Sequence, residues 1–151
     1  MLKGDISNEV RPRVILVFEG ALGHISGPAV KEFNERAAAG LWGTAWEQWS
    51  LHEMMCRKIW DVVKRLAIQV SVATLLVPEE FRDEAEAGLQ TFLDAKGLPV
   101  SDVIALPAER LARELPFMPD VARVYDANPE TWGMFGRKGV ALRNVNDFGV
   151  L

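Results

Sequence analysis

Cysteine is nearly absent from this 151-residue chain. Cys56 stands alone, which excludes an intrachain disulfide and a cysteine-based metal cluster. Histidine is equally scarce, limited to His24 and His52. No apolar run approaches the roughly 20 residues that cross a bilayer. The longest, residues 70–77, is interrupted by Ser71 and Thr74. There is no excess of basic charge: 17 Lys and Arg against 21 Asp and Glu give a net charge of -4. That balance argues against a nucleic-acid backbone as the main partner. Residues 1–10 carry Lys3, Asp5 and Glu9 without an apolar core segment, so no signal peptide is expected. Repeats and low-complexity tracts are missing as well. These absences lead to the expectation of a soluble, cytoplasmic protein in a reducing compartment, with no membrane partner.

What is present is the composition of one globular domain: 49% apolar and 25% charged residues, in a chain long enough for one substantial core. Residues 1–12 read as a polar lead-in and 13–151 as a single domain. Residues 13–18 form a short, apolar, β-branched run stopped by Glu19-Gly20, the pattern of a buried strand. Pro28, just after Gly27, opens a helix that runs to Gly40. Thr44 is placed to cap a long helix over residues 44–66, with apolar positions at three- and four-residue steps. Residues 68–77 make a second strand, ended by Pro78, which starts a helix closed by Lys96-Gly97. Strands follow at 102–106, 121–125 and 140–145, separated by a short helix over 107–115 and a helical turn over 129–135. Alternation of this kind predicts an α/β, Rossmann-like sandwich: about five mostly parallel strands, helices on both faces, and a helical insert at 41–66 after the first strand. In such sheets ligands sit outside the carboxyl ends of the strands, so the residues following each strand are the ones that bear on chemistry.

Three of those segments stand out. They are Val17-Phe18-Glu19-Gly20-Ala21-Leu22, then Leu75-Leu76-Val77-Pro78-Glu79-Glu80-Phe81-Arg82, then Tyr125-Asp126-Ala127-Asn128-Pro129-Glu130. In this order, each after its strand, they resemble the haloacid dehalogenase superfamily. The likeness is to small phage-type domains of the polynucleotide 3′-phosphatase kind, and it spans about residues 13–145. The resemblance implies a frame of Asp-x-Asp-Gly-Thr-Leu, a Thr-Gly-Arg-Pro-like turn and an Asp-Asp-x-Pro-Glu-like segment. It also implies a Mg²⁺-dependent phosphatase in relatives with those side chains.

Position by position, the chemistry that the resemblance implies is missing. Val17 stands where the family places its nucleophilic aspartate. Glu19 keeps a carboxylate at the acid/base position, on a longer arm. Leu75 occupies the place of the phosphate-binding hydroxyl, and Thr74 comes one residue early, which in a strand turns it to the opposite face. Residues 107–121 offer Arg110 and Arg113 but no lysine. Asp126 survives from the metal-binding pair, and the second member is Ala127. Loss of one electrostatic contact of this kind costs about 10²–10³ in rate. With several lost, the expectation is a catalytically inactive protein with no cofactor, and Mg²⁺ only if residual activity exists. Glu19 and Asp126 are the remnant candidates, Asp126 being also the one weak metal candidate.

The remaining chemistry-bearing residues have plainer readings beside the functional ones. His24 and Ser26 follow the first strand and offer a base and a nucleophile without an orienting third group. His52 reads as a mid-helix surface residue and Cys56 as a small apolar filler. Gly136-Arg137-Lys138-Gly139 is a basic loop able to meet an anion or simply to lie in solvent. Trp42, Trp46, Trp49 and Trp60 fall within nineteen residues. They serve either the core or a partner surface, since exposed tryptophan anchors interfaces. The function expected is a protein-binding or assembly module, meeting a protein partner or a second copy through these tryptophans. Two alternatives remain: a divergent phosphatase or nucleotide binder using Glu19 and Asp126, and a structural or virion-associated protein. If the chain is phage-encoded, the compartment is the host cytoplasm.

Overall fold

The structure is a computed structural model that describes residues 11–149. Most of the expected lead-in, residues 1–10, lies outside them. Five strands form one sheet: β1 (Arg13–Val17), β4 (Gln69–Thr74), β5 (Asp102–Ala105), β6 (Val121–Asp126) and β7 (Gly139–Ala141). Their order is β5-β4-β1-β6-β7, and every pairing is parallel. The α/β, Rossmann-like architecture read from the alternating pattern is therefore present.

Period-two alternation sorts the strand residues onto two faces. Val14 and Leu16 of β1 and Val70 and Val72 of β4 pack with α1 (Pro28–Ala38), α2 (Trp42–Ala45), α3 (Glu53–Leu66) and α4 (Arg82–Ala95). Ile15, Val17 and Ala73 face the other way, onto α5 (Ala108–Glu114), Leu115 and Phe135. Helices thus cover both faces. Val121 and Val124 share that second face although three residues apart, because the register slips by one residue between Arg13 and Val14 and leaves Ala122 as a bulge.

Arg13 ties together the amino ends of the central strands. Its Nε donates to Asp120 at 2.9 Å, and its Nη1 reaches the Ser71 hydroxyl at 3.1 Å and Asp102 at 3.4 Å. Asp102 and Asp120 are partly solvated, so each pair is worth little alone, but together they fix four segments in register. Arg13→Ala is expected to cost about 1–2 kcal/mol of unfolding free energy in urea titration.

Several expected boundaries differ from the observed ones. The helix over 44–66 is broken. A short α2 leads into a 3₁₀ turn at Trp46–Gln48, then Ser50–Leu51 (β3) pairs antiparallel with Gly23–His24 (β2), and only then does α3 begin. The three- and four-residue spacing belongs to two helices whose phases are joined by extended chain, and the ladder overrides local helix propensity. Thr44 is not a cap; its hydroxyl donates to the Leu41 carbonyl at 3.2 Å. The second strand ends at Thr74 rather than Val77, and the helix after Pro78 starts with a 3₁₀ turn at Glu79–Phe81. The last strand is only Gly139–Ala141, and the turn expected over 129–135 is a 3₁₀ segment, Trp132–Lys138, kinked at Gly136 (φ 58°). Among the described residues, no helix is long and apolar enough to cross a membrane.

Candidate functional site at the strand ends

After β1 the chain makes a tight helical turn, Phe18–Leu22, interrupted by non-helical angles at Glu19 and by Gly20 at φ 84°. Glycine is required there because that φ is strained for any side chain. Gly20 also brings the turn against Ala127; a Cβ on it would lie 3.7 Å from the Ala127 Cβ. Gly23 is constrained differently: a Cβ on it would strike the Phe18 ring at 2.6 Å. The turn therefore delivers Glu19 over the end of β4 and seats Phe18 in the core.

Glu19 and Asp126 do come to neighbouring strand ends, close enough that the Asp126 charge bears on Glu19. Neither carboxylate is free. The Thr74 hydroxyl and the Leu75 backbone N–H, the latter at 3.2 Å, both donate to Glu19. Burial dominates over these bonds and lifts the Glu19 carboxyl from its usual range to about 7. Asp126 is buried, with one oxygen accepting from the Asn128 N–H at 3.0 Å and the other from the Thr131 hydroxyl. Its backbone carbonyl accepts from Trp132 Nε1 at 2.7 Å and from the Leu142 N–H at 2.8 Å. Asp126 thus closes the turn that leads from β6 to β7, as aspartate side chains commonly do at turns.

Thr74 and Leu75 point to opposite faces, as strand alternation predicts; what the count along the strand does not give is the contact of Thr74 with Glu19. That count set Thr74 away from the site and gave Leu75 the hydroxyl's place. In the structure Thr74 faces the same side as Val72, and the turn after β1 carries Glu19 across to it. Leu75 instead leans on the apolar cluster that holds Val17, Ile104 and Leu106. Val17 is 1% exposed, so the nucleophile position of the implied frame is sealed by hydrocarbon.

Of the four tryptophans, Trp42, Trp46 and Trp49 are 3%, 0% and 8% exposed, packed around Phe18 and Phe33. They belong to the core and offer no surface. Trp60 is 41% exposed, with Lys64 Nζ 5.2 Å from its ring centre.

His52 is not within a helix: it sits at the N-cap of α3, and its side chain makes no capping bond. Its ring stacks on His24 at 4.5 Å across the β2–β3 ladder. Burial and the neighbouring His24 push the His52 imidazole below its usual value. Among the described residues, no hydrogen bond joins His24 to Ser26, so the replacement nucleophile–base pair is not assembled. Lys138 donates to the Leu115 and Met118 carbonyls at 3.3 and 3.1 Å, which makes it a structural clasp rather than an anion contact. Arg110 pairs with Glu79 and Glu114. Burial raises the Cys56 thiol above its usual value, away from reactivity.

Beside Glu19 and Asp126 a cavity of about 490 Å³ opens, lined by Gly20, Ala21, His52, Met54, Met55, Ala127 and residues 142–145. Thr131, Arg143 and the histidine stack were not singled out from sequence. Thr131 and Arg143 carry no motif. The stack requires the β2–β3 pairing, which joins two dipeptides, Gly23–His24 and Ser50–Leu51, each too short to show a strand pattern and far apart in the chain. No group of three or more potential metal-ligating side chains occurs among the described residues. No family model matches the chain, and comparison with curated proteins and with solved structures gives no significant match.

Proposed function

We propose that this protein is a catalytically inactive, haloacid-dehalogenase-like chain kept as a binding module. The observation that carries the reading is Val17. It occupies the nucleophile's place on the central strand and is packed into the cluster beneath the sheet, with no polar group to attack phosphorus. The two remaining carboxylates support it, because their oxygens are engaged by Thr74, Leu75, Asn128 and Thr131 and form no open metal shell. Incubation with p-nitrophenyl phosphate and Mg²⁺ is expected to give no turnover above the protein-free blank. Turnover that Asp126→Asn abolishes would falsify the reading.

The partner in this reading is a protein or a second copy of the chain. It is met on the outer face of α3, where Met54 and Trp60 are 66% and 41% exposed. Light scattering at micromolar concentration separates a homo-oligomer from a monomer that awaits another protein. A second reading, a divergent hydrolase, draws support from Glu19, whose carboxyl near 7 is matched to proton transfer at neutral pH. It calls for the same turnover assay, with loss of rate in Glu19→Gln.

A further inference from the structure

The cavity beside the strand ends has a size that encloses a small organic molecule. Its floor, at Gly20 and Ala127, carries no side chain larger than a methyl group. Part of the lining is thioether: Met54 and Met55 follow each other at the start of α3, Met54 66% exposed and Met55 buried. Methionine adapts to flat ligands and makes favourable sulfur–aromatic contacts. The lining also carries a cation. This is Arg143, and the nearby acid Asp147 is already engaged, accepting from the Arg143 and Asn144 backbone N–H groups at 2.9 and 3.2 Å. The Arg143 guanidinium lies over the Trp132 ring at 5.5 Å and has no ion pair among the described residues. Among the described residues, no acidic side chain lines the cavity, in a chain whose net charge is -4.

We infer that this cavity, which His52 also lines, binds a small aromatic carboxylate, its anion held by Arg143 and its ring laid against Met54 and Met55. Arginine presents a planar pair of donors to a carboxylate, which suits it to this role better than a point charge. His52 adds a contact that responds to pH. The charged group that bears on His52 is His24 on β2; Arg143 after β7 lines the same cavity, and Glu53, next to His52 in sequence, is paired to Arg57 at 2.6 Å. Glu19, next to Gly20, is turned onto Thr74 and Leu75. Burial and His24 disfavour the imidazolium. A carboxylate in the cavity favours it, so ligand binding and proton uptake by His52 reinforce each other. This site is independent of the sealed nucleophile position, and its test is separate from the turnover assay.

The probes are 2-naphthoate and its uncharged analogue 2-naphthalenemethanol, titrated into the full chain and followed by NMR of the two histidine Hε1 resonances. The expected Kd for 2-naphthoate at pH 6.5 is on the order of 10⁻⁴ M. Binding of the alcohol should be at least about tenfold weaker, as should binding of 2-naphthoate to Arg143→Ala. Arg143 is exposed, so that variant keeps its fold. The His52 titration midpoint should move upward at saturation. Absence of binding at millimolar 2-naphthoate overturns the proposal. So does equal affinity for the alcohol, or an unchanged affinity in Arg143→Ala.

Discussion

Glu19→Gln is expected to stabilise the protein by about 2–3 kcal/mol at pH 8 and to change little at pH 5, measured by urea unfolding. The native carboxyl holds its proton up to about pH 7, against 4.5 for a free side chain, chiefly because burial penalises the charge. The Thr74 and Leu75 hydrogen bonds offset only part of that penalty, and the Asp126 charge adds to it. Between these two values the unfolded chain has released the proton and the native chain has not. The native state therefore binds more protons, and stability falls as pH rises from about 4.5 to about 7, then levels off. Glutamine removes the titration while keeping the bonds: its carbonyl can accept from the Leu75 N–H and its amide can donate to the Thr74 oxygen. His52 acts in the opposite sense, since its depressed value makes stability fall as pH drops below the usual histidine range. It is common to both proteins, so the difference between their profiles isolates Glu19. A wild-type profile parallel to that of Glu19→Gln from pH 5 to pH 8 would show that Glu19 is solvated and ionised throughout.

Trp46→Ala should be the most damaging single tryptophan replacement, costing about 3–5 kcal/mol and lowering Tm by about 10–15 °C. The ring is fully buried and makes aromatic contacts with Phe18, Phe33, Trp42 and Trp49. Its Nε1 also donates to the Ala85 carbonyl at 3.1 Å, linking the turn after α2 to α4. Truncation leaves a cavity in the layer that holds the first turn against the sheet. Trp60→Ala, on the exposed side of α3, should stay within about 0.5 kcal/mol of wild type. Scanning calorimetry of the two variants tests the division of these residues into core and surface. Similar Tm shifts for both would contradict it.

Strand order and helix alternation were legible in the sequence because the apolar β-branched runs at 13–18, 68–77 and 102–106 are short, nearly continuous and bounded by glycine or proline. Burial on both sides leaves such runs little choice but a covered parallel sheet. The segment 41–66 misled because three- and four-residue spacing cannot tell one helix from two helices separated by an extended link. The fate of Trp49 depends on Phe18, thirty-one positions away in sequence, and no local pattern records that contact. Glu19 and Asp126 were found by their positions after strands. Their occupation by Thr74 and Thr131 was not, because it depends on where the turn after β1 bends. Alternation puts Thr74 on the face opposite Leu75, but it does not say which later turn reaches that face, and here Glu19 does. Val17 could be read without three-dimensional information as a poor nucleophile, since its side chain carries no lone pair.

The place of β1 in the sheet order has a consequence for how the chain reaches this state. β1 is made first of the five yet lies in the middle, flanked by β4 and β6. One edge pairs Arg13 with Gln69 and the other pairs it with Val121. Neither partner is local, and both loop closures precede the reward of the ladder. During synthesis, Val14 to Val17 have no sheet partner until about fifty further residues have been made, and their second edge stays open until about a hundred have. An apolar strand held open for that long is exposed to strangers before it meets its own neighbours. The time for which that strand stays open is set by the speed with which β4 and then β6 arrive.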